Sequence, residues 1–476
     1  MARTLFRGPN TVGLVCSLVA WTAVASHAMP VAEEQKIGEE IAIEARRRLP
    51  LISDYEIDAF IGGMGARIVK TLGTQPFKYE FFVVRDDSLN AFAVPGGKVF
   101  VHAGLISRAA NDDEIAGVMA HEIAHAHAHH SVRQQQKGQV ANYATLLGVL
   151  LSAINPVIGS AAVTAGMTQQ LKYQRDFERE ADFLGIDFAK EAGYEPAAML
   201  GMLRKINAQQ QLNPTSVPPY FQSHPLTGER MSYLESSLGK SEWQVKSKAA
   251  SHALLRVQAI ARANAQTRKE AVPDYERALA AAKPAERPLA LELIGLLMAH
   301  GEDYAPAIEY LEQAEKAGRR VDRELGRSYL RKGRLEDARP RLLRAAAAAP
   351  KDWNAQADLG DLHYQLGEYA GSVEAYQKAV SAYPWLPEVQ QSLGRALNKA
   401  GRLGEAFYWY GRAAELQGQP VQALSYYQKA EKSLPPVDPL KPDLDSRIEK
   451  LAKATSGPPR PPVIRPERGG SRLGMP

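Results

Sequence analysis

Five residues decide the fold of the first half of the chain: 121-HEIAH-125. Residues four positions apart lie on the same face of an α-helix, so His121 and His125 can direct two imidazole nitrogens at one Zn²⁺. Glu122 then lies beside the open coordination position, where a carboxylate can act as a general base. The stretch therefore predicts a helix that carries part of a zinc-dependent hydrolytic site.

The segments before this helix predict two more helices and a small sheet. Apolar residues recur at helical spacing over residues 30–50 and again over 55–72. Residues 79–84 and 91–101 are β-type apolar runs, and a turn signal at 95–97 makes a hairpin of the second run. A strand of this hairpin is either purely structural or an edge strand that pairs with the backbone of an extended substrate. The residues alone leave both readings open.

A later helix supplies the rest of the predicted site. The metzincin pattern would require glycine at position 128 and histidine at 131, but these are Ala128 and Ser131, so the third ligand lies elsewhere. In 175-RDFEREAD-182, Glu178 and Asp182 are again four apart. Glu178 can complete a His₂Glu site, and Asp182 can orient an imidazole by accepting its other N–H.

Further charged and histidine side chains surround these motifs. Glu180 would face away from the metal on its helix. Three histidines follow the HEIAH stretch closely, and we expect surface or outer-sphere positions for them rather than ligation: His127, His129 and His130.

The first half of the chain resembles the HtpX-like and CAAX-prenyl-protease-like zinc peptidases over about residues 35 to 235. The shared motifs are NAFAVPGGKVFVHAGLI at 90–106, HEIAHAHAHH at 121–130, EREAD at 178–182 and HPLTGER at 224–230. The resemblance implies one Zn²⁺ per chain, Glu178 as the third ligand and Glu122 as the general base. It also implies a substrate-binding edge strand that contains Asn90, Ala91, Phe92 and Ala93. Residues 126–129, Ala-His-Ala-His, depart from the aliphatic residue and arginine that relatives more often carry.

The motif 224-HPLTGER-230 is similar to the HPxxxxR element of this family, and the resemblance implies a position near the metal. Pro225 and Gly228 place His224 in a loop. A His₂Glu site leaves the fourth coordination position of the zinc ion open. A neutral His224 can either occupy this position and inhibit the enzyme, or stabilise the developing oxyanion. A loop histidine without a metal role is the alternative. We predict a dual role with ligation in the resting state, in which Pro225 and Arg230 position the loop and Arg230 can also face the substrate.

The second half of the chain predicts a helical repeat. Leu-Gly pairs recur at residues 325, 359 and 393, a spacing of 34 residues that is the tetratricopeptide period. After a polar linker near 239–250, we expect a solenoid from about 251 to 435, capped by a helix near 443–453. The tail from 454 to 476 is rich in proline, glycine and arginine and is predicted to be disordered.

The N-terminus predicts export. Two arginines precede an uncharged stretch and small residues that suit cleavage, so we expect a signal peptide at 1–28 and a periplasmic location. Residues 138–171 contain no charged side chain but are too few to cross a membrane twice; they form a buried helical pair or a mobile lid that touches substrate or a membrane surface. The net charge of +5 is small for 476 residues, and no nucleic-acid partner is expected.

Together these patterns predict an α+β zincin-like metalloprotease domain, mostly helical with a small sheet, at 29–245, followed by an all-α repeat domain at 251–453. The chemistry of these residues, taken alone, predicts only that the substrate is an extended polypeptide. The resemblance, with the export signal and the repeats, implies unfolded or misassembled outer-membrane β-barrel proteins as substrates and the assembly machinery as partner of the repeats. Two alternatives are a repeat-based chaperone or scaffold with minor proteolysis, and a general periplasmic protease without an assembly partner.

Overall fold

The computed structural model describes residues 31–136, 175–212, 219–242 and 248–455. The predictions for the signal peptide, the uncharged segment 138–171 and the tail after 455 lie outside these residues. Within the described ranges, no helix combines the length and the apolar character that a membrane crossing requires.

The first half of the chain is mostly helical with three strands. Its elements, in chain order, are α1 (Val31–Arg48), α2 (Tyr55–Thr71), β1 (Glu80–Val84), β2 (Ala91–Val94), β3 (Lys98–His102), α3 (Ala103–Arg108), α4 (Asp112–His127), α5 (His130–Gln136), α6 (Arg175–Glu191), α7 (Ala198–Leu212), α8 (Pro219–Ser223) and α9 (Gly228–Glu242). The predicted helices at 30–50 and 55–72 correspond to α1 and α2.

The strands form one sheet in the order β1-β3-β2. The chain reverses at residues 95–97, so β2 and β3 pair antiparallel as the predicted hairpin, and β1 pairs parallel with β3. β2 therefore lies at an edge of the sheet. All four of its residues are buried, and Phe92 stacks on Phe100 of β3 at a centroid distance of 5.0 Å.

The central helix α4 carries the HEIAH stretch through the core. The side chain of Asn111 caps its N-terminus by accepting a hydrogen bond from the backbone N–H of Glu114 at 3.0 Å. Ile115, Met119 and Ile123 are fully buried. Burial on this side of α4 and ligand side chains on the other fix the rotation of the helix.

The second half is an all-helical solenoid, which with the small sheet confirms the predicted fold class. Its helices are α10 (His252–Ala265), α11 (Arg268–Ala281), α12 (Arg287–His300), α13 (Tyr304–Lys316), α14 (Asp322–Arg331), α15 (Leu335–Ala348), α16 (Trp353–Gln365), α17 (Tyr369–Ala382), α18 (Pro387–Lys399), α19 (Leu403–Leu416), α20 (Pro420–Ser433) and α21 (Lys441–Thr455). The repeated glycines allow close helix contacts: a Cβ at Gly360 would lie 2.7 Å from the ring of Tyr376 on the next helix.

The solenoid packs directly on the first domain. Val257 and Ile260 of α10 belong to the same buried core as Ile57 of α2 and Ile106 of α3. The side chain of Gln258 donates hydrogen bonds to two backbone carbonyls at the end of α3, at 2.8 and 3.1 Å. Apolar and polar contacts thus join the two halves.

A buried ionic cluster also joins the halves. Arg256 of α10 binds both carboxylate oxygens of Glu56 on α2 at 2.7 Å and also reaches Glu292 and Glu324 in the repeats. Sequence periodicity gave no sign of these cross-domain contacts, and helix α9 extends to Glu242, into the segment expected to be a linker.

Candidate metal centre

Four buried side chains converge at one point: His121 and His125 from α4, Glu178 from α6, and His224 from the loop between α8 and α9. One donor atom from each lies within 4.8 Å of the others. The Nε2 atoms of His121 and His125 are 3.0 Å apart, and Nδ1 of His224 lies 2.9 Å from Oε1 of Glu178. The structure therefore brings together every residue that the sequence nominated as a ligand.

Close packing of α6 on α4 brings Glu178 to the histidines. A Cβ at Gly185 would lie 3.0 Å from the backbone nitrogen of His121, so a larger residue would push the two helices apart. Phe177 and Ala181 are buried on the same side of α6. The glycine and these apolar neighbours set the distance between the two ligand helices.

The donor set fits a divalent metal ion. Two imidazole Nε2 atoms only 3.0 Å apart cannot both carry a proton, so at least one offers a lone pair. Nitrogen ligands with one carboxylate oxygen are the donors that catalytic zinc sites use, with a further position left for water or substrate. Nδ1 of His224 lies among these donor atoms and would be a fourth donor to a bound metal, while its Nε2 lies 3.5 Å from Oε1 of Glu122.

The electrostatics of the cluster follow from its burial. Burial raises the pKa of Glu122, and nearby His224 and His121 oppose this rise. Burial also acts against ionisation of Glu178, but the positive charges of His224 and Arg230 outweigh it and hold the pKa well below its usual range. The two carboxyls thus differ: Glu178 is suited to ligation as an anion, and Glu122 is suited to accepting a proton.

Charged side chains behind the ligands, Asp182 and Arg230, hold the ligand residues in place. Asp182 places Oδ1 2.9 Å from Nδ1 of His121, and Arg230 binds Asp182 through two 2.8 Å hydrogen bonds. Arg230 also lies 2.6 Å from Oε2 of Glu178. Although burial opposes ionisation, Arg230 and His121 lower the pKa of Asp182 to about 2. Arg230 is itself buried behind the two carboxylates.

The predicted substrate edge lies next to Glu122. Helix α4 packs on β2, and the backbone N–H of Ala93 points at the Glu122 carboxylate and lowers its pKa. Asn90, Ala91 and Phe92 continue this buried edge. The strand and the proton-accepting carboxylate are therefore neighbours.

The structure separates the three histidines that sequence analysis treated alike. His127 packs edge-on against Phe188, and His129 binds Glu34 of α1 at 2.6 Å. His130 is fully buried, and its Nδ1 lies 2.9 Å from Nδ1 of His125. Glu180 lies away from the ligand cluster, as predicted, and its carboxylate contacts His130.

Sequence reasoning missed Tyr220. Its ring is fully buried and stacks on the ring of His224 at a centroid distance of 4.7 Å. Burial and the charge of Glu122 raise the pKa of its hydroxyl well above the usual value. An aromatic residue four positions before His224 on a short helix was the available signal.

A glutamate beside two histidines of one helix, completed by a carboxylate from a second helix, defines a metallopeptidase site. Comparison with known proteins agrees: residues 52–238 match the model of peptidase family M48, and residues 323–385 and 405–435 match tetratricopeptide repeat models. Residues 52–238 thus match peptidase family M48 and are followed by stretches that match tetratricopeptide repeats, which confirms the resemblance seen in the sequence.

The chain spans about half of the length of the relatives that it matches. A protein of Vibrio cholerae is 34% identical over 216 residues, and the beta-barrel assembly-enhancing protease of Escherichia coli is 31% identical over 215 residues; each match covers 44% of this chain and 44% of the relative. The mitochondrial metalloendopeptidase OMA1 of Schizosaccharomyces pombe is 28% identical over 196 residues, which cover 41% of this chain and 57% of OMA1.

Proposed function

We propose that this chain is an exported zinc endopeptidase that removes unfolded or misassembled outer-membrane β-barrel proteins and assists their assembly. The observation that carries the proposal is the convergence of His121, His125 and Glu178 beside Glu122 and the edge strand β2. The names of the bacterial relatives support the link to β-barrel assembly. The location in the periplasm rests on the predicted signal peptide.

The site residues have separate roles in peptide hydrolysis. A bound Zn²⁺ would polarise the attacking water and the scissile carbonyl. Glu122 takes the proton of the water and passes it to the leaving amine, a role that suits a buried carboxyl with a raised pKa. Arg230 acts as a positioning residue, because it holds Glu178 and Asp182 from behind.

The edge strand explains a preference for extended chains. Within the part of the chain that the structure describes, β2 has one neighbouring strand in the sheet, so its other side can pair with the backbone of a peptide. The pairing uses backbone groups, which any unfolded polypeptide supplies, and a folded barrel has no free strand to offer. Substrates are therefore chains whose strands have not yet paired.

His224 restrains the enzyme at rest. Its Nδ1 lies with the other donor atoms, where it would take the metal position that water or substrate needs. Tyr220 stacks on the same imidazole and supports it in this position. A substrate displaces His224, whose imidazole then remains near the reacting carbonyl to stabilise its negative charge.

The repeats recruit the assembly partner. Tyr408 is buried in the repeat core, while Tyr364 and Trp409 are partly buried against it, so packing accounts for most of their surface. Partner binding therefore depends on the exposed solenoid surface rather than on these rings. A membrane contact, if present, would be peripheral.

Glu122→Gln tests the proposal, because Gln keeps the size of the side chain but cannot accept the proton. The full chain and the variant are incubated with an unfolded β-barrel protein and with a short peptide, and cleavage is followed by mass spectrometry. We expect loss of both activities with zinc retained, and no change for the surface control Glu191→Gln. Undiminished assembly assistance by Glu122→Gln would instead favour the chaperone alternative. Crosslinking of the inactive variant in cells separates the second alternative, since a general protease has no specific assembly partner.

A further inference from the structure

A histidine outside the ligand set connects the metal centre to the protein surface. His130 is fully buried at the start of α5, and its Nδ1 lies 2.9 Å from Nδ1 of the ligand His125. On its other side, Nε2 lies 3.2 Å from Oε2 of Glu180. Arg133 binds the same Glu180 carboxylate at 2.9 and 3.1 Å, and both of these side chains reach solvent.

The contacts assign every proton along this row. Nε2 of His125 faces the ligand cluster, 3.4 Å from Oε1 of Glu178, so a bound metal needs its lone pair. His125 then carries its proton on Nδ1 and donates it to Nδ1 of His130. Because that atom accepts, His130 carries its own proton on Nε2 and donates it to Glu180. No other arrangement of the two neutral rings satisfies both ligation and these contacts.

Packing holds the His130 ring in the orientation that this row requires. The ring stacks on Phe177 with a centroid distance of 4.5 Å and an angle of 14°. Arg133 covers the same phenylalanine, with its guanidinium carbon 4.7 Å from the ring centroid. Since Phe177 precedes Glu178 in α6, one aromatic ring links the orientation of His130 to the helix that carries the third ligand.

The two ligand histidines therefore have different supports. His121 lies against Asp182, a buried carboxylate that Arg230 neutralises. His125 instead contacts the imidazole of His130, and the carboxylate of Glu180 lies on the far side of that imidazole. A second-sphere acceptor fixes the tautomer and the direction of a ligand histidine, and its loss typically weakens metal binding by about 10- to 100-fold.

We propose that His130 is a positioning residue for the metal ligand His125, and that Glu180 with Arg133 anchors it from the surface. This inference rests on the proposed metal-dependent function. The sequence left a surface and an outer-sphere position open for all three neighbouring histidines, and the contacts assign the outer-sphere role to His130.

Zinc affinity of the full-length chain tests this inference. Competition with a chromophoric chelator is measured for the wild type, His130→Leu, His130→Asn and Glu180→Gln, with His127→Asn as the matched control outside the row. Leu removes the acceptor, whereas Asn places its carbonyl oxygen near the position of Nδ1 and can still accept from His125. The visible spectrum of the Co²⁺-loaded protein reports the ligand geometry independently of activity.

We expect His130→Leu to lose about 10- to 100-fold in zinc affinity and to change the Co²⁺ spectrum. His130→Asn should recover most of the affinity, and His127→Asn should match the wild type. Glu180→Gln loses the charge but keeps an oxygen that can accept from His130, so it should lose less affinity than His130→Leu. Equal affinities for Leu and Asn, or a Leu variant within about twofold of the wild type, would overturn the inference. If His130→Leu does not fold, Glu180→Leu decides, because it removes the outer acceptor: wild-type zinc affinity together with a wild-type Co²⁺ spectrum in Glu180→Leu contradicts the anchored row. A wild-type chain that binds no zinc would refute the proposed function instead.

Discussion

The ionic cluster between the two domains predicts a large effect of Arg256→Met. Arg256 is largely buried, with 13% of its side chain exposed, and contacts three carboxylates: Glu56 on the peptidase side and Glu292 and Glu324 on the repeat side. Methionine fills similar space but carries no charge, so the three carboxylates lose a shared counter-ion. The substitution therefore tests whether charge, and not only packing, holds the solenoid on the peptidase domain.

The magnitude follows from the partners that remain. Removal of one member of a buried ion pair costs about 3 to 5 kcal/mol, because a buried charge is left uncompensated. Arg323 lies 3.4 Å from Glu56, and Arg319 binds Glu292, so part of the compensation persists. We therefore expect a loss near the lower limit, about 3 kcal/mol in the free energy of unfolding.

Urea unfolding of the full chain, followed by circular dichroism, measures this loss. The double variant Arg256→Met with Glu56→Gln should be more stable than Arg256→Met alone, because it removes an unpaired charge, with a coupling energy of about 2 kcal/mol. Arg277→Met, at an exposed pair with Asp274, is the control and should match the wild type. A loss for Arg256→Met no larger than that of the control, or a coupling energy near zero, would refute the reasoning.

Two further predictions concern Asp58 and His224. Burial and the neighbouring Asp54 raise the pKa of Asp58 from 3.8 to about 8, in a groove of about 1220 Å³ between α2, β1 and the repeats. The folded chain then holds a proton that the unfolded chain releases, so Asp58 costs stability increasingly as the pH rises from about 4 to 8. Because the groove is open to water, this cost is smaller than the full pKa shift implies. In thermal unfolding, Asp58→Asn should raise the free energy of unfolding by about 2 to 4 kcal/mol at pH 7 and by almost nothing at pH 4. His224→Ala should increase cleavage of a short peptide with zinc retained, in a fluorogenic assay; lost cleavage would leave only the oxyanion role, and unchanged cleavage would remove His224 from the site.

Local patterns were sufficient to predict much of the fold and the members of the site. The spacing of His121 and His125 fixes their shared helix face, and the 34-residue period fixes the pairing of neighbouring repeat helices, since both depend on helix geometry. Glu178 was nominated from its spacing with Asp182 together with the HEIAH stretch, and the family resemblance supported it. The metal role of His224 required the resemblance, because its distance from His121 along the chain is set by packing.

The sequence did not predict contacts between segments that are far apart along the chain. In the sequence, Arg256 resembles an exposed residue of a repeat helix, because its contacts with α2 arise only from the packing of the solenoid on that helix. His130 follows a short turn after α4, in which His129 adopts a positive φ of 52°, and its Nδ1 lies 2.9 Å from Nδ1 of His125. Neither composition nor periodicity predicts this turn.

Zinc stoichiometry measured together with peptide cleavage tests the central claim most directly. The full chain is stripped with a chelator, titrated with Zn²⁺, and assayed for bound metal by native mass spectrometry and for cleavage of an extended peptide. We predict that cleavage rises to a plateau at one zinc per chain, that Glu122→Gln binds one zinc without cleavage, and that His125→Ala has lost both. Cleavage by the stripped chain, or full zinc binding by His125→Ala, would contradict this prediction.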